Sequence, residues 1–275
     1  MALTLESRIT LNDGRTIPVL GLGVWQAAPG RETRQAVAYA LEIGYRLIDT
    51  ARMYGNEKDV GAAVQQSGIP REEIFITTKL WNDEHGYEAA LRAFEKSRQA
   101  LGLDFVDLYL IHWPVPRLRR ESWKALLKLR DEGHARSIGV SNYTIRHLQE
   151  VLSASPIPPS VNQVELHPFL YQRELLEFCR SHGIQVEAYS PLARGRRLDD
   201  PVIREIAARH ARTPAQVLIR WSLQHGLVVI PKSSRPERIR ENAAVFDFEL
   251  RPEDMGRLDS LDERSHVAWN PDDLP

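Results

Sequence analysis

The chain has one cysteine in 275 residues, Cys179, so no internal disulfide can form, and this fits a reducing cytosol. Cys179 lies in the amphipathic helical pattern "YQRELLEFCRSHG", which predicts a packed core thiol rather than a nucleophile. No apolar run approaches the roughly 20 residues that a membrane span needs, so no membrane partner is expected. The opening "MALTLESRITLNDG" lacks a basic segment followed by an apolar one, so no secretory signal is expected and the predicted location is cytoplasmic. Neither sign of charge dominates: 36 basic and 37 acidic residues leave a formal net charge of −1, which argues against a nucleic-acid partner. The nine histidines include no H-E-x-x-H, and a lone cysteine offers no pair, so no catalytic metal is expected. A dinucleotide fingerprint is missing too. "GLGVWQ" supplies Gly21 and Gly23, but Gln26 stands where the third glycine of G-x-G-x-x-G belongs.

What is present is alternation. Flanks around Asn12-Asp13-Gly14 predict an N-terminal β-hairpin. Eight short β-branched runs follow: "LGLGVW", "YRLIDT", "IFITTKL", "VDLYLIHW", "SIGVSN", "SVNQVEL", "QVEAYSPL" and "LVVIPKS". Amphipathic helical patterns separate them, among them "RETRQAVAYALEIG", "EKDVGAAVQQSG", "YEAALRAFEKSRQALG" and "SWKALLKLRDEG", several ending on the glycine common at helix C-termini. Two helices fall before the eighth strand, the second opened by Thr213 as N-cap and Pro214 at the first helical position. Eight βα units without a linker or composition break predict one α/β domain over 1–275. Its expected form is a (β/α)8 TIM barrel with an N-terminal hairpin and extra helices before strand eight and at the C-terminus, preferred over a doubly wound sheet.

In such a barrel, chemistry collects at the C-terminal ends of the strands. The second strand ends in Asp49, the third in Lys79 and the fourth in His112, and Tyr54 follows the second strand on its loop. Each has a plain structural use: a turn cap, a solvated strand end, a histidine bound to a carbonyl. On one rim they make a coherent acid catalyst. A free tyrosine titrates near 10, and a lysine cation within about 4–6 Å favours phenolate, so Lys79 is expected to lower the Tyr54 pKa. Asp49 would keep Lys79 charged, and His112 would orient a substrate oxygen. The later strand ends carry Ser141, Asn142 and Gln163, able to clamp a carboxamide, and Tyr189, able to stack on a ring. "IPKSSRPERIREN" places Lys232, Ser233 and Arg238 near a helix start, a plausible phosphate site or simply a solvated basic cap.

These residues resemble the aldo-keto reductase family from the hairpin to about Asp262. "GLGVWQ", "GYRLIDTARMYGNE", "ITTKLW", "LYLIHWP", "IGVSNY", "NQVELHPF", "AYSPL" and "IPKSSRPERIREN" stand in family order. The resemblance implies an NADPH/NADP+-dependent reductase of aldehydes, ketones and small dicarbonyls, with Asp49, Tyr54, Lys79 and His112 catalytic and Tyr54 the general acid. It implies cofactor contacts from Ser141, Asn142, Gln163, Tyr189, Ser190, Leu192, Lys232, Ser233, Arg238, Glu241 and Asn242, and a substrate pocket walled by Trp25, Trp81 and Trp113. His167 of "LHPF" is read as structural. The loop "PVPRLRRESW" and the tail "SHVAWNPDDLP" are short, as in bacterial members acting on 2,5-diketo-D-gluconate or methylglyoxal, and the short tail is expected to close the site less fully. Ala193 stands where many relatives have glycine, and Arg194, Arg196 and Arg197 beside it either approach a pyrophosphate or are solvated, with solvation favoured. The chain is expected to act as a monomer on a small carbonyl substrate. The rival readings are a cofactor-binding sensor with slow turnover and a Schiff-base aldolase built on Lys79.

Overall fold

The computed structural model describes residues 3–274. The hairpin forms as the Asn-Asp-Gly turn predicts: β1 (Arg8–Thr10) and β2 (Thr16–Pro18) pair antiparallel, with Ile9 opposite Ile17. Eight parallel strands then alternate with helices. In order they are β3 (Leu22–Gly23), α1 (Arg31–Glu42), β4 (Leu47–Asp49), α2 (Glu57–Gln66), β5 (Phe75–Leu80), α3 (Tyr87–Leu101), β6 (Val106–Ile111) and α4 (Arg119–Asp131). The second half continues with β7 (Ala135–Ser141), α5 (Ile145–Ala154), β8 (Val161–Glu165), α6 (Arg173–Ser181) and β9 (Gln185–Tyr189). Helices α7 (Pro201–Arg209) and α8 (Pro214–Gln224) precede β10 (Val228–Ile230), and α9 (Pro236–Ala243) and α10 (Pro252–Asp259) end the sequence of helices.

The eight-stranded sheet runs in chain order from β3 to β10 and curls until its edges meet. Parallel bridges from Leu20 to Val229 and from Gly23 to Lys232 join the edges, with Gly21 N–H donating to Val229 O at 2.9 Å. The barrel is thus a (β/α)8 barrel, and the extra helices fall where the sequence predicts them. Thr213 caps α8 reciprocally with Gln216: its hydroxyl accepts from Gln216 N–H at 3.3 Å, and the Gln216 side chain accepts from Thr213 N–H at 2.9 Å.

Two apolar cores follow from the period of two along a strand. Outward side chains such as Ile48, Ile76, Tyr109 and Val186 pack under the helices. Inward ones, including Leu47, Phe75, Leu108, Leu110, Val161 and Val228, fill the lower barrel together with Leu11 and Ile17 of the hairpin, which plugs that end. Cys179 is buried in the outer core, as expected. Above the inner apolar layer the same inward rows turn polar: Asp49 lies beside Thr77 on the neighbouring strand, and Gln163 beside Glu187.

Close packing depends on two glycines. A Cβ on Gly139 would come within 2.4 Å of Val161 O and 2.8 Å of the Leu110 side chain. One on Gly61 would come within 1.9 Å of Leu101 O, so α2 and the end of α3 touch through backbone alone. Because backbone cannot swing aside as a side chain does, Gly61→Ala is expected to lower unfolding free energy by about 2 kcal/mol or more, read from the denaturant midpoint at unchanged slope.

Candidate active site

Burial dictates the floor of the site. Lys79, at the top of β5, is fully buried, and so is Asp49 at the end of β4. An isolated charge there would be prohibitive, so every proton of the ammonium is spoken for. Lys79 Nζ donates to Asp49 Oδ1 at 2.7 Å, to Asp49 Oδ2 at 2.8 Å and to Thr50 O at 3.0 Å, and it lies 3.3 Å from Tyr54 Oη. Tyr54 comes from a short helical turn, Arg52–Tyr54, that carries the chain off the rim after β4. His112 follows β6, its ring edge-on to both Tyr54 and Trp81 at centroid distances of 5.7 and 5.1 Å. The four residues read from the strand ends therefore do converge.

One expectation about them is corrected. The Tyr54 phenol is not lowered: it is raised well above its usual value, by burial first and then by the carboxyl groups of Asp49 and Glu187, which outweigh the nearby lysine. Burial disfavours the charged phenolate, and the two carboxyl groups oppose it further. Tyr54 remains a protonated donor through and beyond the neutral range. His112 is pushed the other way, well below the usual histidine value, by burial and by Lys79, so its imidazole is neutral. Its Nδ1 is buried without a hydrogen-bond partner.

Around this floor opens a cavity of about 1040 Å³. Asp49, Tyr54 and His112 line it, with Lys79 just beneath. Trp25, Trp81 and Trp113 all face it, as the pocket reading requires. Ser141, Asn142, Gln163, Tyr189, Ser190 and Leu192 form its next wall, knitted together before any ligand arrives. Ser141 Oγ donates to Gln163 O at 2.8 Å, Asn142 Nδ2 to His112 O at 3.0 Å, and Tyr189 Oη to Asn142 Oδ1 at 2.8 Å. Gln163 Nε2 points down into the barrel, to Asp49 and Glu187, and this leaves Oε1 as the cavity-facing end of the amide. Lys232 and Ser233, on the segment leading into α9, and Arg238, Glu241 and Asn242, on α9 itself, line the far end. Among the described residues neither Lys232 nor Arg238 has a carboxylate partner. Glu241 is engaged, accepting from Thr213 Oγ1 at 2.6 Å.

Four features lay outside the sequence reading or against its preference. Arg194 is not merely solvated: its guanidinium lies 4.4 Å above the Trp25 ring, and both line the cavity. Arg197 instead pairs with Glu263 at 2.9 Å, leaving only Arg194 of the three arginines on the wall. Ala193 and Arg194 take positive φ values of 46° and 55°, left-handed backbone that explains why a glycine suits this loop. The short tail closes more than expected, because Val267, Ala268 and Trp269 form part of the wall and Trp269 meets Trp113 at 5.6 Å. Glu165, at the end of β8, holds that tail. It accepts from Val267 N–H at 2.7 Å and Ala268 N–H at 3.0 Å, while His167 Nε2 lies 3.0 Å away. This gives His167 the structural use expected of it. Glu187, finally, was legible: it stands two residues before Tyr189 in β9 and so shares its inward face.

A closed parallel barrel with an acid, a base pair and aromatic walls at its C-terminal rim belongs to the barrel enzymes whose chemistry sits at that end. Residues 19–263 match the Aldo/keto reductase family. Glyoxal reductase of Bacillus subtilis (strain 168) is 49% identical over 274 residues, covering 100% of this chain and 99% of that protein. The 9,11-endoperoxide prostaglandin H2 reductase of Trypanosoma cruzi (strain CL Brener) is 50% identical over 269 residues, 97% of this chain and 95% of that one. The crystal structure of a Gox0644 variant in complex with NADPH superposes with a TM-score of 0.92 at 46% identity, covering 98% of each chain. The chain belongs to the aldo/keto reductase family, and it is an NADP-dependent oxidoreductase acting on carbonyl groups.

The Glu165 clip has a testable pH signature. Burial pushes this carboxyl up, but hydrogen bonds from His167, His266 and Val267 outweigh it and bring the value down to about 2. A depressed carboxylate contributes stability that is complete above its ordinary value near 4.5 and is lost progressively as pH falls from there through the folded value. The Val267 and Ala268 amides are therefore expected to stay protected from hydrogen exchange down to about pH 5 and to lose protection progressively below it, and Glu165→Ala to abolish that protection at neutral pH.

Proposed function

We propose that the chain reduces small aldehydes, ketones and dicarbonyls, methylglyoxal among them, with NADPH as reductant and Tyr54 as proton donor. The observation that carries this reading is Tyr54 Oη, 3.3 Å from a lysine that Asp49 neutralises, at one end of a cavity that runs to Lys232 and Arg238. The residues present fit NADPH: Gln163 offers an outward acceptor, Tyr189 a ring face, and Lys232 and Arg238 two cations without carboxylate partners near the start of α9. When bound, the cofactor supplies hydride to the carbonyl carbon.

The chain's own residues manage the oxygen. Charge that develops there is met by the Tyr54 hydroxyl, which gives up its proton, while Lys79 Nζ donates toward the phenolate left behind. Asp49 keeps that ammonium oriented throughout. Neutral His112 serves as a hydrogen-bond partner rather than a charge, and its ring helps set the angle at which a carbonyl meets Tyr54. Trp25, Trp81 and Trp113 exclude water from the reacting centre. In the reverse oxidation Tyr54 would act as the base.

A small dicarbonyl as substrate is supported by half-identity over nearly the whole length to a protein named glyoxal reductase. The Trypanosoma protein, 50% identical, is named for a prostaglandin endoperoxide, so half-identity is compatible with more than one substrate class. The same reading takes the chain as one barrel domain over 1–275, a cytoplasmic monomer without nucleic-acid or membrane partners. Its net charge of −1 supports this, as does the lack, among the described residues, of a helix long and apolar enough to cross a membrane.

Tyr54→Phe is expected to lower methylglyoxal reduction by at least about two orders of magnitude while leaving the NADPH dissociation constant within about twofold. Wild-type turnover in that variant would sink the mechanism. Arg238→Ala is expected to weaken NADPH binding by roughly tenfold and NADH binding hardly at all, as measured by protein-fluorescence titration.

A further inference from the structure

The barrel holds a second buried acid beside the lysine pair. Glu187 is fully buried, and its Oε2 accepts from Gln163 Nε2 at 2.9 Å. The same Nε2 donates to Asp49 Oδ2 at 2.8 Å, so one amide nitrogen bridges two carboxyl groups. Asp49 in turn grips Lys79, and Lys79 reaches Tyr54. Glu187 Oε1 is buried without a hydrogen-bond partner among the described residues. A carboxyl so placed is unusual. Among the described residues it forms no ion pair of its own, since the Lys79 ammonium that acts on it is held by Asp49.

We propose that Glu187 is a positioning residue for carbonyl reduction. With Asp49 it fixes the Gln163 side chain, amide nitrogen down and carbonyl Oε1 toward the cavity. An amide has two faces, and an acceptor is needed there for the N–H of a carboxamide. With both Gln163 N–H groups directed to carboxyl oxygens, the flipped orientation would set Oε1 against the Asp49 carboxylate and forfeit the N–H bond to Glu187 Oε2. This rests on the NADPH reading, since the nicotinamide carboxamide is the group the acceptor would meet.

The groups facing Glu187 give the arrangement a second consequence. They are Asp49 on β4, Lys79 on β5 and Tyr54 on the loop after β4. Burial, then Asp49, raise the Glu187 carboxyl to about 8, against smaller lowering effects from Gln163 and Lys79. Below that pH it is a neutral acid. Above it, a second negative charge joins Asp49 next to Tyr54 and opposes loss of the phenolic proton. Reduction by the wild-type protein should therefore slow as pH rises through about 8.

The test compares Glu187→Gln and Glu187→Met with wild type. Each is read by fluorescence titration with NADPH and by the pH profile of kcat for methylglyoxal. Glutamine keeps an acceptor for Gln163 but cannot ionise. Methionine fills similar space and removes the acceptor. The expected result is a Glu187→Gln protein that binds NADPH within about twofold of wild type yet lacks the fall near pH 8, and a Glu187→Met protein that binds NADPH roughly tenfold more weakly. Persistence of the fall in Glu187→Gln, or wild-type NADPH affinity in Glu187→Met, overturns the proposal. Should the methionine protein not fold, the glutamine profile decides alone. Failure of wild type to bind NADPH, by contrast, would remove the reading beneath it and leave a different signature: no titration in any of the three proteins.

Discussion

Everything at the rim depends on one ion pair sunk into the barrel. Lys79 and Asp49 sit on neighbouring strands, the lysine out of reach of solvent and the carboxylate nearly so, above a layer of Leu47, Phe75, Leu108 and Val161. Burying two charges costs several kcal/mol each, and only tight geometry with further hydrogen bonds offsets it. Here Asp49 receives two bonds from the ammonium and one from Gln163, while Thr50 O takes another ammonium proton. Removing either partner would leave a bare charge, worth about 3–5 kcal/mol of destabilisation. The pair therefore fixes three strands and the turn after β4 relative to one another, and so fixes Tyr54.

That constraint also shapes the electrostatics. Burial, with the carboxyl groups of Asp49 and Glu187, keeps the phenol beside the pair protonated, and burial together with the Lys79 charge keeps the imidazole opposite neutral. At the reacting end the groups that meet a substrate oxygen, Tyr54 and His112, are neutral, and the Lys79 ammonium lies beneath them. Such an arrangement stabilises an oxygen that gains charge only during the reaction, without trapping anions beforehand. Gln163 links this layer to Glu187 and carries the polar chain across to the far side of the barrel.

The walls obey different physics. Ser190, Ala193 and Arg194 all adopt left-handed backbone, at roughly 1–2 kcal/mol per residue, to bring Arg194 over Trp25. The tail has almost no secondary structure before its last turn and is held through Glu165 by backbone N–H groups. Short loops after β6 and at the C-terminus thus still yield a walled cavity, because two long-range contacts, Glu165 to the tail and Arg197 to Glu263, close what length alone would leave open.

Local chemistry made much of this readable in one dimension. Turn residues at Asn12–Gly14, the capping box at Thr213, helical periodicity and eight β-branched runs each act over a few residues, so the hairpin, the helices and the barrel could be inferred from them. The strand-end rule then named Asp49, Tyr54, Lys79 and His112, because the C-terminal end of a strand is a position in sequence as well as in space. What no stretch of sequence could state was that burial and the carboxyl groups of Asp49 and Glu187 outweigh the lysine at Tyr54, since Asp49, Lys79 and Glu187 stand far apart in the chain and meet only inside the barrel. The stacking of Arg194 on Trp25 and the grip of Glu165 on residues a hundred positions away belong to the same kind. The sequence by itself determined which groups stand at the rim. Only the tertiary structure decided their protonation and their walls, because charge, burial and long-range hydrogen bonds depend on separations that exist only once the barrel has closed.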